Sequence, residues 1–227
     1  MKIDQFLYLL LLFTFLSSCN ISEKKATIFI KDGKVGMIGY GSLISLNSME
    51  NTLGRKYKDS IYLVHLEGFK RQWNYVSSNK DTLLPKEYLN YDGYYIRNQD
   101  TIPFEKTVFL NIMNEKGSSL NCVLYFISEE ELKEFDQREI GYERIDVTNM
   151  IKEFNVQGGK TYAYKALPNY TFNENYDKDI SIIEKSYLDL VTEACDSIGS
   201  YYRKEYEETT VAPNPELVAP VIWKKIN

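Results

Sequence analysis

An apolar run, Val35 to Ile38, ends in Gly39-Tyr40-Gly41-Ser42-Leu43, and a turn of this composition can turn backbone amides into chemical groups. Glycine lets the chain bend where a Cβ would clash, and successive N–H groups in such a bend can converge on a carboxylate or an oxyanion. A strand with a tight exit turn and no ligand is the plain alternative. A second group decides between them, and the sequence offers one far along the chain. Ser128 followed by Glu131 forms a capping box that starts a helix. Leu132, Phe135 and Glu139 then stand at i, i+3 and i+7, which directs the Glu139 carboxylate toward the apolar stripe. Removed from water, such a carboxylate has its pKa raised toward neutrality, which suits it to take and return a proton. Pairing with Arg138, Arg144 or a backbone amide at the helix end is the structural alternative for Glu139.

The rest of the composition narrows the chemistry. His65 is the single histidine, so no Ser-His-Asp or Cys-His system and no multi-histidine metal site can be assembled. It lies in the alternating segment Ile61 to Glu67, where a structural role is expected. Carboxylates, hydroxyls and backbone amides remain. The net charge of −5, with no basic cluster beyond Lys24-Lys25 and Lys224-Lys225, argues against nucleic acid as a partner. A chain of 227 residues can bury a core as one domain.

Lys2 precedes an apolar stretch, Phe6 to Leu16, too short for a stable membrane-spanning helix. Leu16-Ser17-Ser18-Cys19 follows and resembles the lipobox of bacterial lipoproteins, although Asp4 is unusual in the charged region before it. The reading is a signal peptide over residues 1–19 with Cys19 as the lipidation site, which anchors the domain to a membrane of the bacterial cell envelope, outside the cytoplasm. An ordinary cleaved signal peptide or an uncleaved anchor are the alternatives. Residues 20–34 then read as a polar tether, 35–210 as the domain, and 211–227 as a tail made irregular by Pro213, Pro215 and Pro220. Cys122 and Cys195 fall in strand-like and helix-like patterns and read as small core residues, with a bridge between them left open.

Positioning elements follow from periodicity. Strands are expected at Val35 to Gly39, Ile61 to Tyr75, Gly93 to Ile96, Thr107 to Ile112, Asn121 to Phe126 and Thr161 to Ala166, with one helical turn after Gly41 and a loop around Pro85. Besides the capped helix, apolar residues at helical spacing from Ile180 to Glu208 predict two helices broken at Gly199. Many antiparallel-looking strands with helices gathered late indicate an α+β fold with a bent or barrel-like mixed sheet and flanking helices. Arg71 is expected to be exposed and Trp73 inward, and the dispersed tyrosines read as core and wall residues.

Three segments in order, the Tyr-Gly-Ser turn, Glu67-Gly-Phe-Lys-Arg-Gln-Trp73 and Phe135-Asp-Gln-Arg-Glu-Ile-Gly-Tyr-Glu-Arg144, resemble the γ-glutamylcyclotransferase-like proteins. Ser186-Tyr187-Leu-Asp-Leu190 is similar to a bacterial branch of that family. The resemblance implies a small mixed α+β barrel-like fold and cleavage of γ-glutamyl amides by intramolecular cyclisation, giving 5-oxoproline and an amine. It implies Glu139 as the catalytic residue and Tyr40, Gly41, Ser42 and Leu43 as the segment holding the glutamyl group. Attack by the substrate's own α-amine needs no protein nucleophile, metal or cofactor. Leu43 stands where many members carry Asn, which removes a side-chain amide and shifts the question of substrate identity to this position.

Two other readings stay open at this point. One is a non-catalytic small-ligand-binding or structural envelope lipoprotein on the same fold. The other is a two-carboxylate glycoside hydrolase, in which Glu67, Asp136 or Glu143 would partner Glu139.

Overall fold

The computed structural model of the protein describes residues 25–226. Cys19 and the proposed signal peptide lie outside them. The chain begins with β1 (Ala26–Phe29) and the apolar β2 (Lys34–Gly39), followed by a short 3₁₀ turn and helix α1 (Leu46–Leu53). A long strand β3 (Tyr62–Ser78) leads to the hairpin β4 (Tyr91–Arg97) and β5 (Asp100–Phe104), then to β6 (Lys106–Ser128). Helix α2 (Glu129–Arg138) starts directly at the end of β6 and precedes β7 (Tyr142–Asp146), β8 (Phe154–Gln157) and β9 (Thr161–Ala166). The last part holds α3 (Glu174–Asp177), β10 (Ser181–Glu184), α4 (Lys185–Ile198), α5 (Ser200–Glu208), β11 (Val218–Ala219) and β12 (Val221–Lys225).

β6 is the spine. It pairs antiparallel with β3 along almost its whole length, antiparallel with β2 through its second half and parallel with β10 at its start. The main sheet runs β11-β10-β6-β2-β9-β7, with β3 added on β6. Two segments expected as separate strands, Thr107 to Ile112 and Asn121 to Phe126, are therefore one strand. Polar residues between them had concealed its continuity. At this point the β3–β6 register jumps between Glu67 and Phe69, with Gly68 and Gly117 both at positive φ, and the sheet bends. Inward residues on both sides of the bend, among them Leu66, Phe69, Ile112 and Leu120, are at most 2% exposed. Full burial of such a side chain contributes about 1.5–3 kcal/mol.

The fold extends beyond the expected 35–210 boundaries on both sides. Residues 26–29, read as tether, form β1 and pair parallel with β8, because Ile28 and Ile30 supply a buried apolar face that the flanking lysines had hidden. In the expected tail, Val221 to Lys225 pairs antiparallel with β4, and the small sheet β12-β4-β5 packs Trp223 edge-on against Phe104 at 5.4 Å. The prolines interrupt this tail without preventing its last residues from pairing. The capping box at Ser128 and Glu131 forms as expected, and Gly199 separates α4 from α5 with φ 143°. Cys122 and Cys195 are free and buried, so both are core residues. No helix among the described residues is long and apolar enough to cross a membrane.

Candidate active site

The Gly39 to Leu43 segment turns as tightly as its glycines allow. A Cβ at Gly39 would lie 2.4 Å from the Leu43 carbonyl oxygen, and one at Gly41 would lie 3.1 Å from the Tyr187 hydroxyl. Ser42–Ile44 form a 3₁₀ turn in which Ile44 N–H donates to the Gly41 carbonyl at 2.9 Å and Ser45 N–H to Ser42 at 3.1 Å. The N–H groups of Ser42 and Leu43, at the first positions of this turn, have no acceptor within it. They form the positive end of a short run of backbone dipoles.

Glu139 reaches the same place from the other side. It is the C-cap of α2, with its N–H donating to the Phe135 carbonyl at 2.9 Å, and the fully buried Phe135 anchors that last turn. Gly141, at φ 78°, turns the chain immediately afterwards, where a Cβ would strike the Tyr170 ring. The Glu139 side chain is 16% exposed, and burial raises its pKa above the ordinary 4.5 while Arg138 opposes the shift. Arg138 approaches it only loosely, Nε to Oε1 at 3.5 Å, and its other nitrogens donate to the Ser42 hydroxyl at 3.0 Å and the Thr52 hydroxyl at 2.7 Å. This arginine ties the end of α2 to the turn and to α1. The Arg138 alternative weighed for Glu139 is thus a weak contact, and the carboxylate keeps a raised affinity for a proton.

Tyr40, Gly41, Ser42, Leu43 and Glu139 line one small cavity of about 40 Å³. All five residues singled out in the described part of the chain are brought together there. The cavity is completed mainly by tyrosines. Tyr40 donates to the Tyr164 carbonyl at 2.6 Å, Tyr142 to the Leu110 carbonyl at 2.9 Å, and Tyr75 to the Ile140 carbonyl at 2.6 Å while stacking on Tyr142 at 4.1 Å. Burial raises the pKa of Tyr40 and Tyr142 well above the ordinary phenol value and that of Tyr187 to about 12, with Glu139 adding to each shift. The phenols stay protonated. Glu139 is the one carboxylate among the described residues lining the cavity, and burial raises its pKa. Asp136, one candidate second carboxylate, is held outside by the Tyr164 hydroxyl at 2.7 Å and Arg144 at 2.6 Å, and neither Glu67 nor Glu143 lines the cavity.

Reading from the sequence missed the tyrosine ring. Tyr142 and Tyr187 lie inside the segments that resemble the family, which was the available signal, but nineteen tyrosines spread over the chain masked it. Arg71 is corrected. It shares a strand face with Trp73 and is fully buried, with its guanidinium donating to Thr210 and to the Asn121 carbonyl and lying 4.5 Å from the centre of the Tyr206 ring. Alternation along β3 requires both residues to point the same way. Trp73 packs edge-on behind Tyr187 at 5.8 Å, so it supports the cavity wall without lining it.

Among solved structures, one titled gamma-glutamyl cyclotransferase matches with a TM-score of 0.51 at 12% identity, covering 80% of this chain and 90% of that one. A crystal structure of an uncharacterized protein from Homo sapiens matches with a TM-score of 0.50 at 14% identity, covering 86% and 95% of the two chains. The fold is γ-glutamylcyclotransferase-like. No family model matches the sequence, and no curated protein matches it. In the γ-glutamylcyclotransferase-like fold observed, the Tyr-Gly-Ser turn follows a central strand and the glutamate caps the helix that follows the spine β6. Two segments separated by most of a domain meet because β2 and β6 are direct neighbours.

Proposed function

We propose that the protein is a γ-glutamyl cyclotransferase-type enzyme that cleaves a γ-glutamyl amide or peptide by intramolecular cyclisation. The α-amino group of the substrate is unreactive while protonated, and Glu139 removes that proton. The nitrogen attacks the γ-carbonyl carbon, closing a five-membered ring. The bond from that carbon to the departing nitrogen breaks as Glu139 returns the proton to the amine that leaves, and the second proton shed by the ring nitrogen is taken up by the same amine, which departs as its ammonium ion. The N–H groups of Ser42 and Leu43 serve the negative charge that builds on the carbonyl oxygen or the substrate carboxylate. Intramolecular attack supplies the nucleophile already in place, which accounts for a site without a protein nucleophile.

The observation that carries this reading is one cavity lined together by a carboxylate of raised pKa, by phenols that stay protonated and by the residues that open a 3₁₀ turn. Localisation completes the proposal. Cys19 as a lipid anchor puts the domain at the cell envelope, and there the substrate must carry a free α-amine, because an acylated amine does not cyclise in this way. A non-catalytic binding protein on the same fold predicts no product. Incubating the purified protein with a panel of γ-glutamyl peptides and γ-glutamylamines and measuring 5-oxoproline separates the two, with release from at least one member expected. No 5-oxoproline from any of them, or equal release by Glu139→Gln, contradicts the assignment.

A further inference from the structure

A second cavity, much larger than the one at Glu139, lies on the other side of Tyr187 and Phe109. About 610 Å³ opens where the small sheet β12-β4-β5 meets β3, β6 and β10. This is within the range of about 300–1,000 Å³ common for small-molecule sites. Aromatic and aliphatic side chains form most of its lining: Tyr88, Tyr91, Phe109, Trp223 and Leu84. Two carboxylates, Glu87 and Glu184, also line it, and among the described residues no lysine or arginine does. Lys80 is held on Asp92 at 2.7 Å and on the Tyr91 carbonyl at 3.2 Å.

Two aromatic rings separate the cavities. Phe109 lines the larger one and meets Tyr187, which lines the smaller, edge-on at 4.9 Å. The start of α4 serves both sides, with Glu184 at its N-cap facing the larger cavity and Tyr187, three residues on, facing Glu139.

We propose that the larger cavity binds an arylalkylamine as a ligand of its own, separate from the site at Glu139. Aromatic walls with carboxylates and no cation suit a flat apolar body that carries an ammonium group, through stacking, cation–π attraction and a charge-assisted hydrogen bond. Glu184 is the receiving group. The Ser186 hydroxyl donates to one of its oxygens at 3.4 Å, and the carboxylate keeps acceptor capacity beyond this.

Calorimetric titration of the purified protein at about pH 7, where tyramine is protonated, with tyramine, 4-ethylphenol and ethylamine tests it. Tyramine is expected to bind wild type and Glu139→Gln equally, 4-ethylphenol about tenfold more weakly, and ethylamine not measurably. Glu184→Gln is expected to remove the advantage of tyramine over 4-ethylphenol. Trp223→Ala and the more exposed Tyr88→Ala are each expected to weaken tyramine about tenfold, so the result does not hang on one variant folding. No measurable tyramine binding, or equal affinities for tyramine and 4-ethylphenol, overturns the site, and either result leaves the cyclisation reading standing.

Discussion

Glu139 presents two demands that conflict at the level of a single residue. A carboxylate that is to deprotonate an amine must be ionised, yet its burial raises its pKa and makes the ionised form costly to the folded state. A carboxyl whose folded pKa lies above its unfolded value stabilises the fold below the unfolded pKa and loses that contribution as pH rises through the folded value. Glu139→Gln is thus expected to lower kcat by about 10²–10⁴ while melting at the same temperature as wild type or higher, which scanning calorimetry beside the 5-oxoproline assay checks. In wild type, kcat/KM should rise with pH along a limb whose midpoint lies above 4.5, and a midpoint at or below that value would show that another group is titrating. Glu139 was legible from the sequence because helical periodicity places a residue on a face whatever its chemistry. The tyrosines around it were not, since Tyr75, Tyr142 and Tyr187 come from three distant elements and each looks like any other amphipathic wall residue. Arg71 was misread for a different reason: charge was taken as a sign of exposure, whereas strand alternation puts it beside Trp73 and partners from β6 and the segment after α5 accept its hydrogen bonds.

At the scale of elements, the site depends on how β2 ends and how α2 begins and stops. The Leu43 carbonyl lies where a Gly39 side chain would stand, and that contact is with backbone, which cannot swing aside. Gly39→Ala is expected to displace the 3₁₀ turn and reduce activity more than it reduces stability, as measured by 5-oxoproline release against a urea melt. Equal effects on both would mean that the turn only holds the fold. Ser128 accepts from Glu131 N–H at 3.1 Å and the Glu131 carboxylate accepts from Ser128 N–H at 2.8 Å. Ser128→Ala should cost about 1 kcal/mol, a shift of roughly 2–4 °C in melting temperature, without removing activity, because Phe135 still anchors the far end. Both features were readable in advance because glycine turns and capping boxes are local. The union of two expected strands into β6 was not, because the polar Asn114 to Ser118 stretch looks like a loop, and only pairing on either side of it, Phe69 with Asn114 and Glu67 with Ser119, joins the two runs against one strand.

Across the whole molecule, contributions distant in sequence hold the layers together, and the two ends of the chain take part in ways that composition conceals. β1 joins the fold through β8 and β12 through β4, and β1 starts at Ala26, close in sequence to the proposed anchor. With Cys19 as that anchor, Cys19→Ala is expected to move the protein from the membrane to the soluble fraction of fractionated cells, and unchanged membrane association would contradict the lipid attachment. His65 acts over a similar range. Its Nδ1 meets Glu153 at 2.5 Å, just before β8, and its Nε2 meets Glu205 on α5 at 2.5 Å, so one imidazole joins β3, the β8 edge and the late helices. Burial pulls its pKa down, but the hydrogen bonds to Glu205 and Glu153 outweigh this and leave it above 6.5. A histidine whose folded pKa is raised contributes its full stabilisation below the unfolded value and loses it as pH rises through the folded one. In His65→Gln the two carboxylates face each other with no cation between them. The difference in urea midpoint between wild type and His65→Gln should therefore be largest below pH 6.5 and shrink as the imidazole loses its proton. Parallel curves for the two proteins across that interval would mean that the imidazole is held neutral and serves only as a hydrogen-bonded spacer.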